Sequence, residues 1–159
     1  MRENVGEVGV LFARRKGVSR PFQYFKDTAK TESCYVGDWF NLGDMGWLDE
    51  EGYAYIADRR SNLIISGGVN IYPAEVENTL LAHPGVGDVV VLGVEDAEWG
   101  KRVHAIVQPT RRSDDTMQLE QALRAFAGQR LAPFKCPRSW EFVAQLPRFE
   151  SGKLYRNRL

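Results

Sequence analysis

The apolar residues in the first third of the chain form short runs that are interrupted by Gly and Asp. Glu7–Ala13 is typical of a strand, and the polar stretch Pro21–Ser33, with its spaced aromatic residues, predicts a short helix. Asp49–Gly52 is a turn signal between Trp47–Leu48 and Tyr53–Ile56, so these two segments are predicted to form a hairpin. The first sixty residues are therefore expected to be rich in β-structure.

After residue 60 the apolar spacing changes to that of longer strands and amphipathic helices. Pro73 suits the first turn of a helix that ends near His83–Gly85. The inward face of this helix is predicted to comprise Val76, Leu80 and Leu81. Four apolar runs predict core strands: Leu63–Ile65, Val86–Val94, Val103–Val107 and Trp140–Val143.

A second helix is predicted after Asp114 or Asp115, since either carboxylate can cap its first turn. Its apolar stripe consists of Leu119, Leu123 and Phe126. Strands and helices are mixed from residue 62 onward, which predicts an α/β or α+β domain. The strands of the first sixty residues would by themselves leave edges and an apolar face exposed, so we expect the chain to be the C-terminal part of a larger protein.

Composition places the chain among folded proteins with a real core. It has 159 residues, of which 43% are hydrophobic and 26% are charged. The 21 basic and 21 acidic residues give a net charge of zero, which excludes a generally basic nucleic-acid binder. A basic excess lies in the last third of the chain. It would suit a phosphorylated small molecule, but composition alone favours the alternative, a solvated basic face.

Targeting signals and metal motifs are not recognisable in the sequence. The longest apolar stretches are far shorter than a membrane span, and no signal-peptide pattern opens the chain. Cys34 and Cys136 match no metal-ligand spacing. We therefore expect a cytoplasmic protein with reduced thiols, without a metal site, a nucleic-acid partner or an integral membrane segment.

Several polar residues have the chemistry of a nucleotide site. Asp44 and Arg59 are predicted to lie at the ends of neighbouring strands, where a carboxylate suits ribose hydroxyls and a guanidinium suits phosphate. A turn aspartate and a surface arginine are the structural alternative. Ser66–Gly68 can either cradle a phosphate or form an ordinary tight turn before the first helix.

Two further groups are candidates for binding or catalysis. Lys153, in the segment Pro147–Lys153, can stabilise developing negative charge from a flexible loop, or it is simply an exposed lysine near the end of the chain. Aromatic residues beside cations can stack a base and hold its phosphates, whereas the structural alternative is packing at the edge of the core. The residues of this second group are Trp99, Phe134, Lys135 and Arg138.

Three ordered segments, Asp38–Gly46, Asp58–Glu77 and Pro147–Leu154, together resemble the adenylate-forming superfamily. This superfamily comprises acyl-CoA synthetases, luciferases and peptide-synthetase adenylation domains. The resemblance extends over essentially the whole chain. It implies an α+β fold in which a small mobile C-terminal domain, residues 61–159, has a short mixed sheet flanked by helices. Residues 1–60 are then β-hairpin strands from the end of the larger N-terminal domain.

The resemblance implies a two-step ligase reaction. A carboxylic acid and ATP, with Mg²⁺ expected in the full enzyme, give an acyl-adenylate, and the CoA thiol then displaces AMP. Lys153 is implied to be the catalytic residue of the first step. Asp44 is implied to hold the ribose hydroxyls, Arg59 to contact ribose and phosphate, and Ile56 to flank the nucleotide.

The same resemblance implies a hinge and a CoA site. Ser61 occupies the hinge position, where Asp or Lys is common, and Leu42 stands where Thr is usual. Cys136 stands where some relatives have Arg, so a contact with the 3′-phosphate is not expected there. The implied CoA-binding residues are Ser66, Gly67, Gly68, Trp99, Phe134, Lys135 and Arg138.

The ATP loop and the acyl pocket of the superfamily belong upstream of the segments present here. We therefore predict that this chain alone does not catalyse the overall reaction and requires the missing N-terminal domain as its partner. Two alternatives remain open: an adenylation domain that passes its acyl group to a carrier protein, and a non-catalytic binding module. Exposed strands in the first sixty residues would favour a homo-oligomer.

Overall fold

The computed structural model describes residues 5–111 and 115–154, and the chain divides into two compact units, Met1–Ser61 and Asn62–Leu159. The first unit is built from short strands, and the second contains the long strands and the two longer helices.

The first unit contains the predicted hairpin. Strands β4 (Asp44–Leu48) and β5 (Ala54–Arg59) pair in an antiparallel manner, and β1 (Gly9–Val10) pairs antiparallel with the other edge of β4. The turn between β4 and β5 is held by Asp49, whose side-chain oxygen accepts the backbone N–H groups of Glu51 at 3.0 Å and Tyr53 at 2.8 Å. This hairpin carries the candidate residues of the first unit.

The remaining elements of the first unit are shorter than the sequence predicts or were not predicted. Helix α1 is only Thr28–Ser33, because Asp27 caps it by accepting from the backbone N–H of Lys30. The predicted strand over residues 7–13 is reduced to β1. A hairpin of β2 (Tyr35–Val36) and β3 (Trp39–Phe40) joins them, and the sequence analysis missed it.

The second unit is built on a three-stranded mixed sheet with the order β10-β9-β8. Strands β8 (Val86–Asp96) and β9 (Gly100–Pro109) form a long antiparallel hairpin, while β10 (Ser139–Phe142) lies parallel to β9. A smaller hairpin of β6 (Ile64–Ser66) and β7 (Val69–Ile71) precedes the first helix. With helices present beside this mixed sheet, the predicted α+β class is confirmed.

Helix α2 (Pro73–Leu81) begins at the predicted proline and buries Val76 and Leu80 completely. Leu81 was predicted to face inward, but 44% of it is exposed. The reason is geometric: Leu80 follows Val76 by four residues and shares its face, whereas Leu81 is turned about 100° further round the helix. The inward face of α2 is therefore narrower than predicted.

Helix α3 (Thr116–Gly128) is capped by Asp115, whose side chain accepts the backbone N–H of Gln118 at 2.8 Å. The other predicted cap, Asp114, lies outside the described residues. Leu123 and Ala127 are fully buried, and Leu119 packs against the core from a half-buried position. None of the helices in the described residues is long and apolar enough to cross a membrane.

The hydrophobic core of the second unit lies between the sheet and both helices. It includes Ile64 and Ile71 of the small hairpin together with Val86, Val89 and Val91 of β8 and Val103 and Val107 of β9. Ile65 was predicted to be buried with its neighbours, but it is 52% exposed because successive side chains of a strand point to opposite faces. A second, smaller cluster of Val90, Ile106 and Leu146 covers the other face of the sheet.

Candidate functional site

Asp44 and Arg59 are directly opposite each other on β4 and β5. Arg59 Nε lies 2.8 Å from Asp44 Oδ1, and Arg59 Nη1 donates to the carbonyl oxygen of Leu42 at 3.0 Å. The structure thus brings this predicted pair together at the ends of neighbouring strands. Both side chains are at least partly exposed, so the pair can reach a ligand, and its role toward a nucleotide remains a prediction.

Ile56 and Ser61 lie further along the same segment. Ile56 is on β5 and is 68% exposed, which is unusual for a large aliphatic side chain in a strand. Ser61 lies in a single 3₁₀ turn, Arg60–Asn62, and is the last residue of the first unit. The geometry leaves the predicted nucleotide role of Ile56 and the predicted hinge role of Ser61 untested.

Gly67 and Gly68 form the two-residue turn between β6 and β7. Ser66 pairs with Val69 across the turn, and both glycines have positive φ, +55° and +80°. Two consecutive residues with positive φ are the requirement of a tight hairpin turn that matches the twist of its strands, and glycine meets it without steric strain. The predicted loop is therefore a tight turn.

Trp99 packs directly on this turn. The backbone N–H of Gly67 donates to the Trp99 carbonyl oxygen at 2.9 Å, and a Cβ on Gly67 would lie 2.6 Å from Cε3 of the indole. The Arg138 guanidinium lies 4.9 Å from the centre of the Trp99 ring, within the range of a cation–π contact. Trp99 and Arg138 belong to one predicted group of aromatic and basic residues and Gly67 belongs to another, and the structure brings the three together.

Asp96 orders the loop that carries Trp99. Its Oδ1 accepts the backbone N–H groups of Glu98 and Trp99, both at 3.1 Å, and Arg102 Nη1 lies 3.7 Å from its Oδ2. The pKa of Asp96 is held below its usual range, first by the hydrogen bond from the Trp99 backbone N–H and then by the one from Glu98. The positive charges of Arg102 and Arg138 lower it further. Asp96 was not predicted from the sequence, although an aspartate two or three residues before such backbone N–H groups is a common turn signal.

Lys135 and Phe134 lie in a single 3₁₀ turn, Pro133–Lys135. The Lys135 ammonium is 2.6 Å and 2.8 Å from the two carboxylate oxygens of Glu75, in the first turn of α2. This ion pair holds the Lys135 ammonium against α2, so Lys135 contacts Glu75 and does not join Arg138 at Trp99. Phe134 is 46% exposed, with its ring 5.9 Å from the Lys135 ammonium.

Lys153 lies in a short turn near the end of the described residues. The backbone N–H of Phe149 donates to its carbonyl oxygen at 2.8 Å, and Gly152, with φ +79°, allows the chain to reverse. The Lys153 side chain is exposed, and its ammonium has no hydrogen bond or ion pair with any residue in 5–111 or 115–154. The lysine is therefore available to a ligand.

Metal binding finds no support among the described residues, which contain no group of three or more His, Cys, Asp or Glu side chains suited to a metal ion. Cys34 and Cys136 are free thiols. Burial raises the pKa of the Cys136 thiol, which packs against the core. Cys136, as a neutral and half-buried thiol, therefore offers a phosphate no positive charge of the kind that an arginine at this position would supply.

Comparison with known proteins identifies the family. Residues 75–153 match the family described as AMP-binding enzyme C-terminal domain. The 2-succinylbenzoate–CoA ligase of Bacillus licheniformis is 46% identical over 136 residues, which cover 86% of this chain and 27% of that protein. A fatty acid–[acyl-carrier-protein] ligase, ScoC of Streptomyces coeruleorubidus, is 40% identical over 147 residues, covering 89% of this chain and 27% of that protein.

The fold is also found in solved structures. The o-succinylbenzoate CoA synthetase of Bacillus subtilis, in complex with the acyl-adenylate intermediate OSB-AMP, matches with a TM-score of 0.83 and 40% identity. The match covers 97% of this chain and 30% of that one, so the chain spans less than a third of the length of these relatives. The chain thus contains a member of the AMP-binding enzyme C-terminal domain family, and its relatives include acyl-CoA ligases that it matches over part of their length.

Proposed function

We propose that this chain is the lysine-bearing and CoA-receiving part of an AMP-forming carboxylate–CoA ligase. The observation that carries the proposal is the junction of Gly67, Trp99 and Arg138. The tight turn at Gly67, which has no side chain, packs against the indole of Trp99, a residue that is 38% exposed. The guanidinium of Arg138 lies over the same ring. A turn without side chains suits a thin pantetheine arm, while an aromatic ring beside a cation suits a nucleotide base and phosphate.

The adenylation step is assigned to Lys153 and to the first unit. The exposed Lys153 ammonium would offset the negative charge that builds up as a carboxylate attacks a phosphate. Asp44 would accept the ribose hydroxyls, while Arg59 contacts ribose and phosphate and the exposed Ile56 flanks the base. We assign the hinge between the two steps to Ser61.

The remaining residues of the proposed CoA site contribute less directly. Ser66 and Gly68 complete the turn, and Phe134 offers an exposed ring. Lys135 would have to exchange its Glu75 partner for a phosphate, so we assign it a secondary role. The coverage of 27% of the Bacillus licheniformis ligase supports the view that turnover needs a further region, and we expect the 159-residue chain alone to form no thioester.

The test is a chimeric ligase in which this chain replaces the matching part of the Bacillus subtilis 2-succinylbenzoate–CoA ligase, to which it is 42% identical over 147 residues. Pyrophosphate exchange reports adenylation, and thioester formation from preformed acyl-adenylate reports transfer. Lys153→Ala is expected to lower adenylation roughly 100- to 1,000-fold and to leave transfer largely unchanged. Lys16→Ala, an exposed lysine of the first unit, is the matched control. Equal losses in both steps, or no loss, would contradict the assignment.

A carrier protein is a second candidate acceptor. It is favoured by the relative ScoC, which is named as a fatty acid–[acyl-carrier-protein] ligase and is 40% identical to this chain. A turn without side chains admits a pantetheine arm whether CoA or a carrier protein presents it. The same chimera, supplied with CoA or with phosphopantetheinylated carrier protein at equal concentration, distinguishes the two by the rate of acyl transfer.

A further inference from the structure

Arg148 connects the Lys153 turn to the central sheet. Its Nε lies 2.5 Å from Asp88 Oδ2, and its Nη2 lies 2.7 Å from Asp88 Oδ1. The guanidinium thus makes a two-point contact with a carboxylate on β8. Its Nη1 donates to the carbonyl oxygen of Gly152 at 2.9 Å. One planar guanidinium thus contacts both the sheet and the residue immediately before Lys153.

This contact fixes the peptide that leads into Lys153. The Gly152 carbonyl oxygen and the Lys153 nitrogen belong to one planar peptide unit, so holding the oxygen also holds the orientation of that nitrogen. The backbone N–H of Phe149 donates a hydrogen bond to the Lys153 carbonyl oxygen and so holds the next peptide unit, between Lys153 and Leu154. Lys153 therefore has its backbone fixed on both sides, whereas its ammonium has no partner among the described residues.

The flanks of the turn are anchored as well. The backbone N–H of Leu146 donates to Oε1 of Gln108 at 2.9 Å, and Leu146 is 2% exposed in the cluster with Val90 and Ile106. Leu154 packs against the same cluster and forms a bridge with Arg148. The carboxylate of Asp88 raises the pKa of the Arg148 guanidinium, so its charge is kept.

We propose that Arg148 is a positioning residue that clamps the Gly152–Lys153 peptide to Asp88 of β8 and so presents the lysine in one direction. The proposal rests on the adenylation role proposed for Lys153. A lysine on an ordered backbone loses less entropy when it engages a reacting group than one on a free tail. Arg148 would therefore aid adenylation without touching the substrate.

Backbone order parameters from amide relaxation of the 159-residue chain test the clamp without any catalysis. In the unmodified chain, Gly152 and Lys153 are expected near about 0.8, typical of rigid backbone. Arg148→Gln and Asp88→Asn are each expected to lower both values below about 0.6, while Val91 in the sheet stays unchanged. Arg130→Gln is the matched control, since Arg130 also donates to a backbone carbonyl, that of Phe126, at 3.1 Å.

Arg148→Lys separates clamping from general stabilisation. Lysine keeps a charge for Asp88 but cannot make the two-point contact and reach Gly152 as well, so we expect near-normal thermal stability with a mobile Gly152. In the chimeric ligase, Arg148→Lys should lower the rate of adenylation roughly tenfold or more and leave the rate of transfer unchanged. The Asp88→Asn variant provides the same test if Arg148 substitutions fail to fold.

The outcomes separate this proposal from the one on which it rests. If Lys153→Ala abolishes adenylation but Gly152 stays ordered in Arg148→Gln, the clamp is wrong and the function of Lys153 stands. If Gly152 is already mobile in the unmodified chain, the clamp is likewise wrong. If Lys153→Ala has no effect on adenylation, the proposed function fails, and the positioning role falls with it whatever the order parameters are.

Discussion

Gly67 and Gly68 share positive φ but differ in their surroundings. A Cβ on Gly67 would lie 2.6 Å from the Trp99 ring, whereas a Cβ on Gly68 would meet nothing within 4 Å. We expect Gly68→Ala to destabilise the chain by about 1 kcal/mol through backbone strain alone, and Gly67→Ala by at least about 1 kcal/mol more, because Trp99 must move. Urea unfolding measures both.

Gly128→Ala provides the control for these glycine substitutions. Gly128 ends α3, has open space around its Cα and lacks positive φ, so alanine there should be neutral or stabilise the chain by up to about 1 kcal/mol. Equal costs for Gly67→Ala and Gly68→Ala would show that Trp99 is not held against the turn.

The lowered pKa of Asp96 predicts a structural transition at acid pH in the loop that carries Trp99. Because its pKa is lowered in the folded chain, its contribution to loop stability is present above the ordinary value of about 3.9 and is lost as pH falls through the lower folded value. We expect the Trp99 indole N–H resonance to stay constant from pH 7 to about 4 and to shift only below it. Asp96→Asn should remove this transition, and a midpoint above pH 4 would refute the role given to Asp96.

Some residue contacts were predictable from the sequence and others were not. The Asp44–Arg59 pair follows only in part from a recognisable hairpin. The turn at Asp49 sets the pairing of Leu48 with Ala54, but a register shift between Met45 and Gly46 places Arg59 instead of Asp58 opposite Asp44. The contacts of Lys135 with Glu75 and of Arg148 with Asp88 each span 60 positions. No local pattern specifies such pairs, since they depend on how separate elements pack. Lys153 was predicted to lie on a flexible loop, so neither the turn that carries it nor its contact with Arg148 was predicted.

Helices and strands were predicted best where residues that start or end an element, such as proline, agree with the spacing of the apolar residues. Pro73 set the start of α2, and the valine runs of β8 and β9 marked the central hairpin. The parallel direction of β10 could not be predicted, because it depends on the path of the chain through α3. The β2–β3 hairpin was missed since each strand has only two residues, too few for a periodic pattern.

The cap of α3 gives a prediction for a whole element. Asp115 accepts the backbone N–H of Gln118 at 2.8 Å, one of the donors that a helix leaves unsatisfied at its start. Asp115→Ala is expected to lower the free energy of unfolding by about 1 kcal/mol. Asp115→Asn keeps a capping oxygen and should cost much less. Urea unfolding of the three chains decides this, and equal losses in both variants would contradict the capping role.

At the scale of the whole molecule, the hydrophobic core is unevenly divided. Both buried clusters of the described residues belong to the second unit, whereas the buried apolar residues of the first unit are Cys34 and Met45. We therefore expect residues 62–159 expressed alone to unfold cooperatively in urea and residues 1–61 alone to show no cooperative transition. Loss of cooperative unfolding in 62–159 would show that its core needs the first unit.

The acceptor surface proposed around Gly67 and Trp99 lies in the second unit. Titration of the 159-residue chain with CoA, followed by amide NMR, tests this proposal, with dephospho-CoA and the Arg138→Gln variant as comparisons. We expect shifts clustered at Gly67, Gly68, Trp99 and Phe134, with weaker binding of dephospho-CoA and of the variant. No shifts at millimolar CoA, or shifts confined to the first unit, would contradict it.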